Sequence, residues 1–173
     1  MTTGEAQKLS KRIIRIMATL LLLIYIGFII FTTLLCREPS DYYQYNFTLF
    51  WSYQRFFDDV QPQGEQIVLN ILFFVPYGLL CSTMIGDGKK SWNQIMLVTM
   101  ILACVLSGLV ESLQLFLKLG FSEFDDVFDN TLGAIVGAGL FLMIRRAIKK
   151  KIIMRNEINE LFNVKCGSAR GAS

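Results

Sequence analysis

Five polar side chains that could bind a ligand or transfer protons lie inside or beside long apolar runs of this sequence. They are Asn70, Glu111, Gln114, Asp126 and Asn130. Glu111 and Gln114 stand three residues apart, and Asp126 and Asn130 stand four apart, so each pair shares one face of a helix. The two carboxyl groups could form an acid–base pair, or could bind a divalent metal together with the asparagines through hard oxygen ligands. All five side chains could instead hold a polar head group.

The segments that carry these side chains are typical of membrane helices. Of the 173 residues, 53% are hydrophobic, and they fall in four runs that are each long enough to cross roughly 30 Å of hydrocarbon. We predict helices at about residues 13–35, 67–85, 94–117 and 126–147. The fold class is then all-α: an integral membrane bundle of four transmembrane helices within residues 13–147. The first run is longer than the roughly 7–15 apolar residues of a cleaved signal peptide, so we expect it to be retained.

The distribution of charge predicts the orientation of this bundle. Fourteen of the 17 lysines and arginines fall on one side of the predicted membrane. The exceptions are Arg37, Arg55 and Lys118. By the positive-inside rule, the N-terminus (1–12) and the basic tail (148–173) are cytoplasmic. The loop 36–66 is then the outer loop. Its many aromatic residues indicate contact with the outer leaflet, with part of the loop helical.

In this orientation the polar side chains form one layer under the outer surface, together with Asp129. Each lies within about 9 Å of a helix end. A charged side chain that faces lipid costs roughly 2.5–3.5 kcal/mol or more, so we expect the layer to face the interior of the bundle. Amides can serve there as hydrogen-bonding links between helices. That structural role does not require the charge of Glu111, for which we favour a functional role. For Asp126 and Asn130 both interpretations stay open.

Two further patterns favour structural roles. The stretch Ser122-Glu123-Phe124-Asp125 is typical of a capping box at the start of the fourth helix. Gly133 and Gly137 stand four residues apart, a spacing that favours close packing of the fourth helix on a neighbour. The same glycine face could join two copies of the chain in a homo-oligomer.

Composition disfavours several classes of function. The chain has no histidine, which excludes histidine-based catalytic dyads and triads and zinc sites that need imidazole. The four cysteines lack metal-ligand spacing, and no phosphate loop or nucleophile motif is present. We expect no cofactor, no metal outside the carboxylate alternative above, and no nucleic acid. The basic run at residues 145–151, RRAIKKK, is typical of a juxtamembrane segment that contacts anionic lipid.

Taken together, the motifs resemble the VanZ-like family. The stretches NILFFVPYGLL from Asn70, ESLQ from Glu111 and DVFDNTLGA from Asp126 occur in the family's order and spacing, over roughly residues 12–146. The stretch NFTLF from Asn46 is similar to the family's Asn-Leu-x-Pro-Phe element. Many members also carry an arginine in an Arg-x-x-Asp-x-x-Asp arrangement. The corresponding position in this chain is Gly120, with Lys118 nearby.

The resemblance implies a multi-pass protein of the bacterial cell membrane with a link to low-level resistance to teicoplanin, a glycopeptide antibiotic with a lipid tail. We favour a non-enzymatic protein that binds or excludes an amphiphile, such as a lipoglycopeptide or a lipid-linked wall precursor. Its expected ligand-binding residues are Asn46, Asn70, Glu111, Gln114, Asp126 and Asn130. The alternative is an enzyme that modifies an envelope lipid, with Glu111 and Asp126 as its catalytic carboxylates. A transporter would need a second copy to line a path.

Overall fold

A computed structural model describes residues 3–58, 63–86 and 90–170 of the chain. The first helix, α1 (Thr3–Ile30), continues into a π-helical turn (Phe31–Leu35). The elements after this turn are β1 (Gln44–Asn46), α2 (Trp51–Phe57), α3 (Gln63–Ile85), α4 (Trp92–Leu117), β2 (Phe121–Glu123) and α5 (Phe124–Arg170). The chain divides into two compact units, one up to Gly139 and one from Leu140.

The prediction of an all-α membrane bundle is confirmed. Within the described residues, four helical segments are long and apolar enough to cross a membrane: Gly4–Leu35, Gly64–Ile85, Trp92–Leu117 and Phe124–Asn159. Each overlaps one of the four predicted helices. The side chains on their outer faces are largely aliphatic and aromatic, as expected for surfaces that contact lipid.

The terminal helices extend well beyond the predicted bounds. The first helix begins at Thr3 rather than near residue 13, and α5 continues to Arg170 instead of ending near residue 147. Hydropathy marks where a segment can enter the membrane, whereas a helix can continue into water wherever good helix formers come next. The second unit is thus a helical segment, Leu140–Arg170, and its basic residues beyond Arg145 are exposed through Arg155.

Close packing of α3 on α5 depends on three glycines. A Cβ at Gly133 would overlap the carbonyl oxygen of Ile71, and one at Gly137 would overlap that of Val75. Across the same interface, a Cβ at Gly78 would overlap the carbonyl of Ala134. This is small-residue packing between membrane helices, as predicted. In this chain, backbone atoms of α3 lie against Gly133 and Gly137. A homo-oligomer through these glycines stays a prediction.

Side-chain hydrogen bonds tie the other helices of the first unit together. The Tyr25 hydroxyl of α1 donates to the carbonyl oxygen of Phe73 in α3 at 2.6 Å. The hydroxyl groups of Ser82 in α3 and Thr99 in α4 lie 3.0 Å apart, and both residues are fully buried. Such bonds, rather than apolar attraction, hold helices in register where the solvent is itself apolar.

The predicted outer loop is folded against the start of α5. Strands β1 and β2 pair in parallel, with Gln44 opposite Phe121 and Asn46 opposite Glu123. The helical part expected in this loop is confirmed as α2. The strands were not predicted, because three residues are too short to show the two-residue alternation of a strand. The ladder fixes the aromatic loop beside the polar ends of α4 and α5.

Candidate functional site

Five of the six predicted site residues line one small cavity in the first unit. The polar part of its lining is made by Thr33, Arg37, Asn70, Glu111, Gln114, Asp126 and Asn130. The cavity volume is about 40 Å3. A water molecule requires at least about 10–15 Å3 of such space, so the cavity holds a few waters at most. It is too small to enclose the head group of a lipid.

The segment that leads into α5 holds Glu111 in place. The side chain is 8% exposed, and its Oε2 accepts a hydrogen bond from the backbone N–H of Glu123 at 3.1 Å. The Ser122 hydroxyl donates to the backbone carbonyl of Glu111 at 3.2 Å. Strand β2 is therefore fixed to the last turns of α4. The polar face predicted for Glu111 and Gln114 does point inward, since both side chains are buried.

Asp126 and the two asparagines connect three helices. The Asn70 amide of α3 donates to Oδ1 of Asp126 in α5 at 2.7 Å. The Asn130 amide of α5 donates to the hydroxyl of Ser107 in α4 at 2.8 Å. Both asparagines thus serve as links between helices. Their placement on the cavity wall is compatible with a second role in binding.

Gln114 is the most enclosed of these side chains, with 1% of its surface exposed. Its Nε2 donates to the carbonyl oxygen of Thr33 in the π-helical turn at 3.2 Å. Its Oε1 is buried and has no hydrogen-bond partner within the described part of the chain. An acceptor left without a donor costs about 1–3 kcal/mol. This oxygen is therefore available to accept a hydrogen bond from water or a ligand.

Arg37 lines the cavity and was missed by the sequence analysis. Its Nη1 donates to the carbonyl of Leu119 at 3.4 Å, and the same atom lies 2.9 Å from where a Cβ at Gly120 would stand. The guanidinium thus lies beside the position at which many VanZ-like proteins carry an arginine. Lys118 instead contacts the loop, with Nζ 4.8 Å from the centroid of the Tyr43 ring. Arg37 and Leu119 are 82 residues apart in the sequence, so no spacing pattern could link them.

A second acidic cluster adjoins the cavity and anchors α2. The Asp125 carboxylate, 2% exposed, accepts hydrogen bonds from the backbone N–H groups of Phe50 at 2.6 Å and Ser52 at 2.8 Å. The Tyr53 hydroxyl donates to Asp129. The predicted capping box is therefore wrong: the Ser122 hydroxyl bonds to α4, and Asp125 caps a different helix. Tertiary contacts offered these groups better partners than the turn that contains them.

Glu123 belongs to this second cluster. Its Oε2 accepts from Gln66 Nε2 at 3.1 Å and from the Ser52 hydroxyl at 3.4 Å. Burial, followed by repulsion from the Asp125 and Asp129 carboxylates, raises the pKa of Glu123. The Ser52 and Gln66 hydrogen bonds oppose this rise in its pKa. The carboxyl group is therefore a site where protonation is coupled to the docking of α2.

Asn46 does not share the cavity with the other predicted residues. Its Oδ1 accepts the backbone N–H of Thr48 at 2.9 Å, which stabilises the turn after β1. This hydrogen bond positions the loop beside the site. A role of Asn46 in ligand binding stays a prediction.

The oxygen atoms of the side chains largely determine which ligands this cavity can bind. Glu111 and Asp126 supply carboxyl groups to one cavity, and Arg37 supplies the positive charge. Among the described residues, no group of three or more His, Cys, Asp or Glu side chains is arranged to hold a metal ion. The arrangement suits hydrogen bonding to water or to a polar ligand that approaches Glu111.

Comparison with known proteins gives one match. The sequence profile of the family described as VanZ/LLP1 matches residues 16–145, a range that contains every residue of the cavity. No curated protein and no solved structure matches the chain. The described residues include four apolar helices, and the profile match covers most of the chain, including the cavity residues. We conclude that the chain is a membrane protein of the VanZ/LLP1 family.

Proposed function

We propose that this protein acts in the bacterial cell membrane, where it lowers susceptibility to teicoplanin-type lipoglycopeptides by binding or excluding an amphiphile at Glu111. The observation that carries the proposal is the convergence of Asn70, Glu111, Gln114 and Asp126 on one cavity. Asn70 is half-buried and the other three side chains are buried, and polar groups at such places are costly in a membrane bundle. Hydroxyl and amide side chains are sufficient for hydrogen bonds between helices, so helix packing alone does not require two carboxyl groups.

The test is antibiotic susceptibility in a sensitive Gram-positive host. Cells would carry the wild-type chain, Glu111→Gln, or no chain, and would be challenged with teicoplanin and with vancomycin side by side. We expect the wild type to raise the inhibitory concentration of teicoplanin selectively, and Glu111→Gln to lose this protection. Glu38→Gln is the matched control, because Glu38 is an exposed glutamate of the predicted outer loop. Equal protection by wild type and Glu111→Gln would exclude Glu111 from the function.

The proposed function requires the cavity end of the bundle to face outward. The positive-inside pattern supports this orientation. Cys36 lies at this end, directly after the π-helical turn, and is exposed. In a chain that retains Cys36 as its only cysteine, a membrane-impermeant maleimide should label intact cells. Labelling that appears only after the cells are broken would reverse the orientation and refute an outer-leaflet site.

A second candidate function is an enzyme that modifies an envelope lipid. It is favoured by the two carboxyl groups, Glu111 and Asp126, that line one water-sized cavity. Such a pair could activate a water molecule and protonate a leaving group. An enzyme predicts turnover of a lipid-linked substrate that is lost in both Glu111→Gln and Asp126→Asn. Saturable binding without turnover would favour the binding protein.

A further inference from the structure

Glu111 also lines a second space, a groove of about 330 Å3 between α4 and α5. The α4 residues along the groove include Cys104, Gly108, Glu111 and Leu115, spaced four, three and four residues apart. Residues at this spacing form one face of a helix. Val127 supplies part of the opposite wall from α5. The same carboxyl group therefore faces a water-sized cavity and a groove about eight times larger.

The groove is open beside Gly108, which has no side chain. No heavy atom lies within 4 Å of the point where a Cβ at Gly108 would stand. Gly133 is needed for close helix packing and Gly120 for its positive φ, whereas neither reason applies to Gly108. From Glu111 to Cys104 the groove descends about 10 Å along α4. One leaflet contributes about 15 Å of hydrocarbon, so an alkyl chain lying there stays within that leaflet.

The two ends of the groove differ in chemistry. The end toward the loop contains Glu111, Ser122 and Glu123, which are all buried. No lysine or arginine is among the described residues that line the groove. The deeper part is lined by Cys104, Gly108 and Val127. Two carboxyl groups without a cation in the lining favour a positively charged partner and repel phosphate and sulfate.

We propose that this groove binds a single alkyl or acyl chain from the surrounding leaflet, with a primary ammonium head group that pairs with Glu111 and Glu123. The inference rests on the proposed function for the statement that the ligand is an amphiphile. It adds the place where the alkyl or acyl chain of the ligand lies and the positive charge of the ligand's head group. Access from the side is consistent with a groove whose deeper walls belong to membrane-spanning helices.

The test uses the full chain in phosphatidylcholine nanodiscs. The probe is dodecylamine with a photoreactive diazirine in its alkyl chain, and the labelled peptides are identified by mass spectrometry. We expect labels in the α4 peptide that contains Cys104 to Leu115 and in the α5 peptide that contains Val127. Unmodified dodecylamine should displace the probe at least about tenfold better than dodecyl sulfate, which corresponds to the preference of one charge pair.

Two variants identify the groove as the site. Gly108→Leu fills open space and should abolish labelling there without disturbing the fold. Gly27→Leu is the matched control, because Gly27 is a helical glycine of α1 with nothing within 4 Å of its Cβ position. It should label like the wild type. Glu111→Gln should retain labelling but reduce the preference for dodecylamine over dodecyl sulfate.

The outcomes separate this inference from the proposed function. Labelling that Gly108→Leu does not reduce would overturn the groove, as would equal displacement by dodecyl sulfate. Neither result would affect teicoplanin protection that depends on Glu111. Conversely, the protein could be labelled in the expected pattern and yet give no protection against teicoplanin. This result would support the groove as a binding site and refute the resistance function.

Discussion

Replacing Asp125 by alanine should release α2 from the start of α5. The Asp125 carboxylate accepts the backbone N–H groups of Phe50 and Ser52, and no side chain of α2 caps its own first turn. Each hydrogen bond to a charged acceptor contributes about 1.5–3 kcal/mol. A helix of seven residues has little stability of its own. The loss of two such bonds should therefore appear as local opening of α2.

The magnitude can be worked from these two bonds. Taking the lower value for each gives about 3 kcal/mol, which is about a 100-fold rise in the local opening equilibrium. Hydrogen–deuterium exchange in nanodiscs measures this directly at the amides of Phe50 and Ser52. Asp125→Asn retains one acceptor oxygen and should give an intermediate rise. The peptide from the middle of α4 serves as the internal reference and should not change.

The matched control is Asp58→Asn, which alters an exposed carboxylate at the other end of α2. It should leave exchange at Phe50 and Ser52 unchanged. If Asp125→Ala also leaves these amides protected, the two hydrogen bonds do not hold α2, and packing of the aromatic residues must do so. If exchange rises throughout α4 and α5 as well, Asp125 stabilises the whole first unit rather than α2 alone.

Three further variants test separate parts of the structure. Gly133→Ala should destabilise the protein by about 1–3 kcal/mol because its Cβ overlaps the Ile71 carbonyl; Gly139→Ala, in open space, should be neutral or stabilising in the same thermal unfolding assay. The pKa of Glu123 is raised above 4.5 in the folded protein. Between this pH and the folded pKa, the folded protein binds more protons at Glu123 than the unfolded chain does. The contribution of Glu123 to stability therefore falls as pH rises through this interval. Thermal unfolding of Glu123→Gln should accordingly depend less on pH, and an unchanged profile would contradict the assignment. Gly120 has φ of 101°, and a Cβ at this position would lie 2.9 Å from Nη1 of Arg37. Gly120→Ala should therefore cost about 1–2 kcal/mol from backbone strain and more from displacement of Arg37. A double-mutant cycle with Arg37→Ala should recover the second part, and strict additivity would show that the two residues do not interact.

The sequence predicted the membrane-spanning segments well because lipid imposes a simple constraint. Each crossing needs about 20 apolar residues in a helix, and that pattern is visible in a single chain. The ends of α1 and α5 were not predicted, because outside the membrane the same constraint no longer applies. The β1–β2 ladder and α2 depend on contacts with the start of α5. Such contacts leave no periodic pattern in the loop itself.

The site was predicted in part for the same reason. A polar residue in an apolar run must face inward, so depth and face placed Asn70, Glu111 and Gln114 on one cavity. The individual bonds could not be predicted. The Ser122-to-Asp125 stretch fits a local cap, yet its groups bond to α4 and α2. A local sequence pattern indicates only which hydrogen bonds are possible within one helical turn. In the folded protein, the same groups can bond to residues from elsewhere in the chain.

Arg37 is the only cationic side chain among the described residues that line the cavity. The buried acidic residues are Glu111, Glu123, Asp125, Asp126 and Asp129. Backbone N–H groups stabilise Asp125, and Tyr53 and Asn70 donate to Asp129 and Asp126. Glu111 receives one backbone N–H and faces Arg37 across the cavity. Neutral donors and one guanidinium do not balance five carboxyl groups, so the cluster favours protons or a cationic ligand. Because Glu111 alone among the five lines both the cavity and the groove, it is the carboxyl group at which a cationic ligand from the leaflet would bind.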